Sequence, residues 1–337
     1  MAESFPDFTP VNLLTGFLGS GKTTLLQRLL ADPELSDCAV LINEFGEVGL
    51  DHHLLERIDE TMVLLQSGCV CCTIRGELSD AIKDLHERRA RGDIPPFQRL
   101  VIESTGLADP FPILSTVHSD PVLRHHFRLG NVIATIDAVN AAGQLETQEE
   151  CARQIAVADR LILTKTDIAA TDTVERLLAR IKAINPAAPL WRSAETPPKA
   201  EELLSQDGAA FHHEALPSVP PVHHHAHSHS DIHAFALVFD APLDWTLFGI
   251  WLTMLLNRHG QRILRVKGIL NIEGNATPVA IHGVQHLVHP PVHLRAWPDA
   301  ARQSRLVFIV KGLEQDRIAQ SLRAFGLGDA LAAVPAV

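Results

Sequence analysis

A chain of 337 residues, set against roughly 150 per domain, leads us to expect about two domains, each long enough to bury its own core. Lysine and arginine total 29 against 40 aspartates and glutamates, a formal charge of −11, which argues against nucleic acid or an anionic membrane as the main partner. With 46% hydrophobic and 20% charged residues the chain is not of the disordered class, and its 19 histidines are the compositional outlier.

Met1 to Pro10 lack a basic stretch followed by an apolar core, so no secretory signal is expected and the cytoplasm is the expected compartment. Val11–Thr15 reads as a buried strand running into Gly16-Phe17-Leu18-Gly19-Ser20-Gly21-Lys22-Thr23, after which Thr24–Leu30 has helical period. This is G-x-x-x-x-G-K-[ST] in the strand, loop and helix context the motif needs. The glycines let backbone N–H groups turn inward on phosphate oxygens, and the helix N-terminus adds positive potential. Lys22 supplies a point charge, and Thr23 offers a hydroxyl to Mg²⁺.

Ala39–Asn43 is the next strand, followed by Asn43-Glu44-Phe45-Gly46-Glu47 and Asp51, which lie where a nucleotide switch would sit and where Asp51 would approach Mg²⁺. Met62–Gln66 reads as a strand, Ser67-Gly68 as a turn, and Cys69-Val70-Cys71-Cys72 as the lead into a helix. Three thiols within four residues near a helix start have lowered pKa and soft sulfur suited to Zn²⁺, Cu⁺ or, less readily, Co²⁺. C-x-C-C offers at most three sulfurs, so the shell would be open, completed by Glu47, a histidine or water, as suits a metal that is to be released. A buried thiol cluster and a redox pair are the alternatives, whereas Cys38 and Cys151 read as isolated core thiols.

Arg99–Ser104 is a further buried strand, and Glu103-Ser104-Thr105-Gly106 puts a carboxylate at its C-terminal end, where ligands of open parallel sheets sit. Glu103 is assigned to Mg²⁺, through water, or to orienting the attacking water; Gly106 is assigned to sensing the γ-phosphate through its N–H. After a strand at Val132–Asp137, Arg160–Leu163 ends in Thr164-Lys165-Thr166-Asp167, a variant of the guanine-reading Asn/Thr-Lys-x-Asp motif. The Asp167 carboxylate can accept from guanine N1–H and the exocyclic amine together, whereas adenine presents an acceptor at N1. Lys165 would lie along the base and ribose. No glutamine or arginine finger is assignable, so the hydrolytic base is open and slow hydrolysis is expected.

Between Glu195 and Ser230 prolines and histidines replace any apolar period, including His212, His213, His223, His224, His225, His227 and His229. This tract reads as a weak metal-capture arm for Zn²⁺, Ni²⁺, Co²⁺ or Cu²⁺, with a solvated spacer as the alternative. Ala234–Asp240, a helix over 244–259, Arg262–Ile272, Pro278–Val288, Arg305–Gly312 and a helix over 313–325 then form a second domain. Its most apolar stretch, Trp245–Leu256, spans 12 residues, too short for the roughly 20 that a bilayer needs, and is expected to be a core helix. His282, His286, His289 and His293 are expected to be surface or core side chains, since Pro290 and Pro291 forbid one helical ligand face. The fold expected is α/β, a doubly wound, mostly parallel P-loop NTPase sheet with a smaller C-terminal α+β domain. The boundaries expected are 1–195, a Pro/His-rich linker over 196–232, and 233–337.

GFLGSGKTT, NEFGEVG, CVCC, ESTGLADP and TKTD in this order resemble the CobW-type family of P-loop GTPases, metallochaperones or metal-insertion accessory proteins. The resemblance covers about Val11 to Trp191, and RVKGILNI, VAIHGVQHL and RLVFIVKG resemble the family's C-terminal domain. It implies that Gly16, Gly19, Ser20, Gly21, Lys22, Thr23 and Thr24 bind the phosphates and Mg²⁺, with Glu103 and Gly106 as the second phosphate element. It further implies that Thr164, Lys165 and Asp167 read guanine and that Cys69, Cys71, Cys72 and Glu47 hold metal. Ile42 stands where some relatives carry another acid. The function implied is GTP hydrolysis to GDP and phosphate coupled to delivery of Zn²⁺, the His-rich arm feeding the thiols, to a client apo-metalloprotein. The alternatives are a cobalt or iron insertion GTPase serving cobalamin synthesis or nitrile hydratase, a His-rich storage protein, and a small-molecule kinase. Neither a nucleic acid nor a membrane is an expected partner, and homo-oligomerisation is left open.

Overall fold

The computed structural model describes residues 8–32, 35, 37–43, 62–65, 74–204 and 231–332. They form two compact units. The first comprises the described residues up to Ala142, Ala158–Val174 and those from Pro189 to 204; the second comprises Gly143–Val157, Glu175–Ala188 and those from 231 onward.

In the first unit β1 (Thr9–Gly16), β2 (Cys38–Asn43), β3 (Met62–Leu65), β4 (Arg99–Glu103), β5 (Phe127–Asp137), β6 (Arg160–Thr164) and β7 (Leu190–Arg192) form one sheet. Its order is β3-β2-β4-β1-β5-β6-β7, and every pairing is parallel. Residues of β1, β4 and β6 are buried throughout, and consecutive apolar pairs and triples such as Leu13-Leu14, Leu100–Ile102 and Leu161–Leu163 face both sides of the sheet rather than alternating with polar residues. Between strands lie helices that include α1 (Lys22–Leu30), α2 (Ile74–Arg91) and α3 (Pro110–Ser119). The Asp109 side chain caps α3 by accepting from Phe111 N–H at 2.9 Å. This is the doubly wound arrangement expected from the alternation of strand and helix.

Two details depart from the strand list read in the sequence. β5 starts at Phe127, because the chain through Gly130 and Asn131 stays paired with β1 across a register shift between Val11 and Leu13. Asn12 fills that irregularity, its side-chain oxygen accepting from Asn131 N–H at 3.0 Å. β7 is an additional edge strand of three half-buried residues.

The second unit is built on an antiparallel sheet of β8 (Ile232–Phe239), β9 (Ile263–Leu270), β10 (Val279–Val284), β11 (Leu287–Val288), β12 (Val292–His293) and β13 (Ser304–Lys311). Its order is β11-β10-β9-β13-β8, with β12 pairing β10. On one face, Phe235, Phe308, Val266 and Ile281 bury against Phe248, Trp251 and Leu255 of the helix Trp245–His259 and Ile318 and Leu322 of the helix Gln315–Ala324. Trp251 satisfies its buried indole N–H on Ser321 Oγ at 2.9 Å. The helix Trp245–His259 is capped by Asp244, which accepts from Leu247 N–H at 2.7 Å. No helix of the described residues is long and apolar enough to cross a membrane. The opposite face carries Arg265, Lys267, Ala236 and Val307, and within this unit it meets Glu149–Val157 and Ala187. Arg265 donates to the Val157 carbonyl, and Lys311 donates to Glu149 at 2.6 Å.

Cys38 and Cys151 are buried core thiols, as expected, and burial pushes both up to about 12. At pH 8 the thiolate fraction is then on the order of one in ten thousand. Iodoacetamide on the native protein at pH 8 is expected to leave both unmodified, as read by peptide mass spectrometry, and to label both after denaturation. Native labelling of either would show that its packing is breached.

Candidate functional site

The carboxyl ends of the parallel strands share one sheet edge, and the sequence loads that edge with Gly16, Glu103, Asp137 and Thr164. β1 hands directly over to a glycine loop and then to α1. Gly16, with φ 141°, has no room for a side chain: an added Cβ would meet Ser20 Oγ at 2.7 Å and collide with the Thr135 side chain and carbonyl. Gly21 is the left-handed N-cap of α1, with φ 91°, and provides no capping side chain. The first-turn N–H groups of α1, which no helix satisfies by itself, are thereby left to a ligand at the helix start.

Lys22 turns its side chain back over this loop, donating to the Gly16 carbonyl at 2.9 Å and the Phe17 carbonyl at 3.2 Å. Burial lowers its pKa, while the Glu103 carboxylate opposes that effect. Thr23 Oγ1 donates to Glu103 Oε1 at 3.0 Å, joining α1 to the end of β4. Thr24 is exposed in the first turn. The β4 end is further tied to β1, with Ser104 N–H donating to the Leu14 carbonyl at 2.9 Å and Ser104 Oγ donating to Thr15 Oγ1 at 3.0 Å. Gly106 abuts the glycine loop so closely that a Cβ would lie 2.6 Å from Leu18 N. A hydroxyl beside a buried carboxylate is the all-oxygen donor set that a hard divalent cation such as Mg²⁺ takes.

On the other side of β1, Thr164 Oγ1 donates to the Ser20 carbonyl at 2.9 Å and the Ile136 carbonyl at 3.0 Å. Ser20 Oγ and Thr135 Oγ1 share a hydrogen bond of 2.7 Å. Lys165, at φ 59°, donates to the Gly19 carbonyl at 2.9 Å and to Asp137 Oδ2 at 2.7 Å. Asp167 is exposed two residues on. Burial works to raise the Asp137 carboxyl, but Lys165, Asn140 and two backbone N–H groups outweigh it and hold the group below the usual carboxylate range.

Of the residues singled out from sequence, the structure thus brings Gly16, Gly19, Ser20, Gly21, Lys22, Thr23, Glu103, Gly106, Thr164 and Lys165 to one place. Glu47, Asp51, Cys69, Cys71, Cys72, His223, His224, His225, His227 and His229 lie outside the described residues. Among the described residues no group of three or more His, Cys, Asp or Glu side chains is arranged to hold a metal ion. His282 is buried in β10 with its ring stacked on that of His289 at 4.0 Å, and His286 and His293 are exposed. Reading the sequence missed Asp137 and Thr135. The available signal was a strand-end carboxylate in Val132–Asp137, the same pattern that marked Glu103.

Residues 10–192 match the family described as CobW/HypB/UreG, nucleotide-binding domain, and residues 232–326 match the cobalamin synthesis protein CobW C-terminal domain. The chain is 37% identical over 308 residues to the zinc chaperone YjiA of Escherichia coli (strain K12), covering 91% of this chain and 96% of that one. It is 31% identical over 355 aligned residues to the zinc chaperone CobW of Pseudomonas aeruginosa, covering 93% and 90%. The crystal structure of Zn(II)-bound YjiA GTPase from E. coli superposes with a TM-score of 0.74 at 32% identity, covering 96% of this chain and 99% of that one.

Gly16→Ala forces a side chain into Thr135 and Ser20 and must displace the loop. Binding of a fluorescent guanine nucleotide is expected to weaken at least tenfold, about 1.4 kcal/mol, with the circular dichroism spectrum retained. Unchanged binding would show that the loop backbone is not the phosphate cradle.

Proposed function

The chain belongs to the CobW/HypB/UreG nucleotide-binding family with a CobW C-terminal domain, and from that premise we propose that it is a cytoplasmic GTP-hydrolysing zinc metallochaperone. The observation that carries the nucleotide half is the convergence of three elements on one loop. Lys22 folds over it, Thr23 joins it to Glu103 at 3.0 Å, and Lys165 ties it to the Thr164–Asp167 turn at 2.9 Å. In the reading proposed, residues 1–195 bind nucleotide, 196–232 form the His-rich linker and 233–337 form the C-terminal part.

The loop and the N-terminus of α1 hold the phosphates, with Lys22 neutralising charge that develops on the β- and γ-phosphate oxygens as the terminal bond breaks. Thr23 and Glu103 would hold Mg²⁺, which when bound spreads the negative charge of the phosphates. Water attacks the γ-phosphorus, the bond to the β–γ bridging oxygen breaks, and GDP keeps that oxygen, leaving inorganic phosphate. Gly106, packed on Leu18, is placed to report γ-phosphate loss to the β4 loop. Asp167 reads the guanine edge and Lys165 the base face. Asp51 belongs to the switch.

Zinc is the cargo, taken by Cys69, Cys71 and Cys72 with Glu47, and fed by His223, His224, His225, His227 and His229. The similarity to zinc chaperones over nine-tenths of the chain supports zinc over cobalt. GTP holds the metal and hydrolysis loosens it, so that a client apo-metalloprotein receives the ion by ligand exchange.

A non-hydrolysable GTP analogue is expected to tighten Zn²⁺ binding at least tenfold relative to GDP in a chromophoric chelator competition, about 1.4 kcal/mol of coupling. Cys71→Ser should abolish the difference. Equal affinity in both nucleotide states would sink the switch-driven release. The base assignment has its own check: Asp167→Asn replaces two acceptors with one acceptor and one donor, which fits xanthine N1–H and O2. The variant is expected to lose GTP and gain XTP as substrate by phosphate release, and retained GTP preference would remove Asp167 from the base site.

A further inference from the structure

We propose that Asp137 is the positioning residue for Lys165: its carboxylate holds the ammonium against the Gly19 carbonyl, so that the base-reading turn and the phosphate loop move as one body and share one affinity. This rests on the assignment of Thr164–Asp167 to guanine.

Asp137 closes β5 in register with Thr164, the last residue of β6, and Ala138 N–H donates to the Thr164 carbonyl at 3.0 Å. Its side chain is 1% exposed, a place where a carboxylate persists only with full compensation. Oδ1 accepts from Val139 N–H at 2.8 Å and Asn140 N–H at 3.3 Å, which fixes the plane of the group. Oδ2 is left for the Asn140 amide at 2.8 Å and Lys165 Nζ at 2.7 Å. The same ammonium reaches the Gly19 carbonyl at 2.9 Å, so one cation bridges a rigid strand end and the glycine loop. Lys165 takes φ 59°, a left-handed backbone that is uncommon for a residue other than glycine, and from it the ammonium reaches both partners. Its side chain remains 37% exposed, leaving the alkyl stem a face to offer a ligand. Ser20 and Thr164 add neutral ties between the same elements, but the Asp137–Lys165 pair is charge-assisted, and the lysine itself belongs to the base-reading motif.

A rival role is purely structural, with Asp137 capping the turn at 138–140. Asp137→Asn separates the two, because its oxygen still accepts from Val139 and Asn140 while the charge facing Lys165 is gone. GDP affinity would be measured by fluorescent-nucleotide titration on the full chain for wild type, D137N, K165A and the double variant, with thermal midpoints taken without nucleotide. D137N and K165A are each expected to weaken GDP at least tenfold, and the double variant is expected to stay within twofold of K165A. Losses that multiply, or a D137N affinity within twofold of wild type, overturn the proposal. If D137N does not fold, Asp137→Ser, whose hydroxyl retains an acceptor for the turn, takes its place under the same criteria. Asp167→Asn with XDP distinguishes the two failures. A switch to XDP together with an ineffective D137N removes only the positioning role, whereas no switch and an ineffective K165A remove the base assignment and the proposal with it.

Discussion

A parallel sheet delivers the carboxyl ends of all its strands to one edge, and everything the first unit does depends on that constraint. β1, β4, β5 and β6 end side by side, so residues from Gly16 to Thr164 become neighbours without any long-range loop reaching across. Helices leaving that edge point their N-termini back at it, so α1 adds the positive end of a dipole where the glycine loop turns. The arrangement places cations beside carbonyls, with Lys22 on Gly16 and Phe17 and Lys165 on Gly19. A polyanion is the ligand class that two such ammonium groups and a helix N-terminus favour together.

The second unit solves a different problem. An antiparallel sheet has two faces to cover, and here they are covered by different chemistry. Aromatic rings and branched chains fill one face around Trp251 and Phe308, whose ring centroids stand 6.4 Å apart. On the other face Arg265 and Lys267 alternate with the core residue Val266, as period two requires, and Arg265 reaches the last carbonyl of the segment Glu149–Val157. Lys311 pairs with Glu149 at the start of that helix, so an acid sits at its N-terminal end and a guanidinium at its C-terminal end, both as the helix dipole prefers.

How much of this was legible in the sequence follows from how local each signal is. The glycine loop is legible because glycine identity encodes the positive φ that Gly16, Gly19 and Gly21 adopt. Glu103 is legible as a carboxylate closing an apolar run. Asp137 closes an equally apolar run, but its partner Lys165 stands 28 residues away, and their meeting depends on the register Asp137↔Thr164, which no spacing rule states. β7 left no trace because three half-exposed residues after Pro189 carry neither alternation nor a continuous apolar run. The extension of β5 back to Phe127 has no apolar run to mark it, because Gly130-Asn131 interrupts the pattern and is absorbed by Asn12 across an irregular register.

Coupling between nucleotide and metal, as proposed, needs a short path, and the sheet order supplies one. Glu103 pairs with Ile42 of β2, and Asn43 beside it pairs with Leu65 at the end of β3. Two strand spacings of about 4.8 Å put the end of β3 roughly 10 Å from the end of β4. The chain leaves β3 at Leu65, four residues before Cys69, and resumes as a helix at Ile74, two residues after Cys72. Both flanks of the thiol motif thus belong to the first unit, the one that carries the glycine loop. A displacement of the β4 loop on γ-phosphate loss need cross only one intervening strand to reach them. Linkage then works in both directions: whatever factor GTP adds to metal affinity, the metal adds to GTP affinity. Under that proposal a metal-loaded protein would hold GTP more tightly than a metal-free one, and the hydrolysis rate would set how long the metal is held.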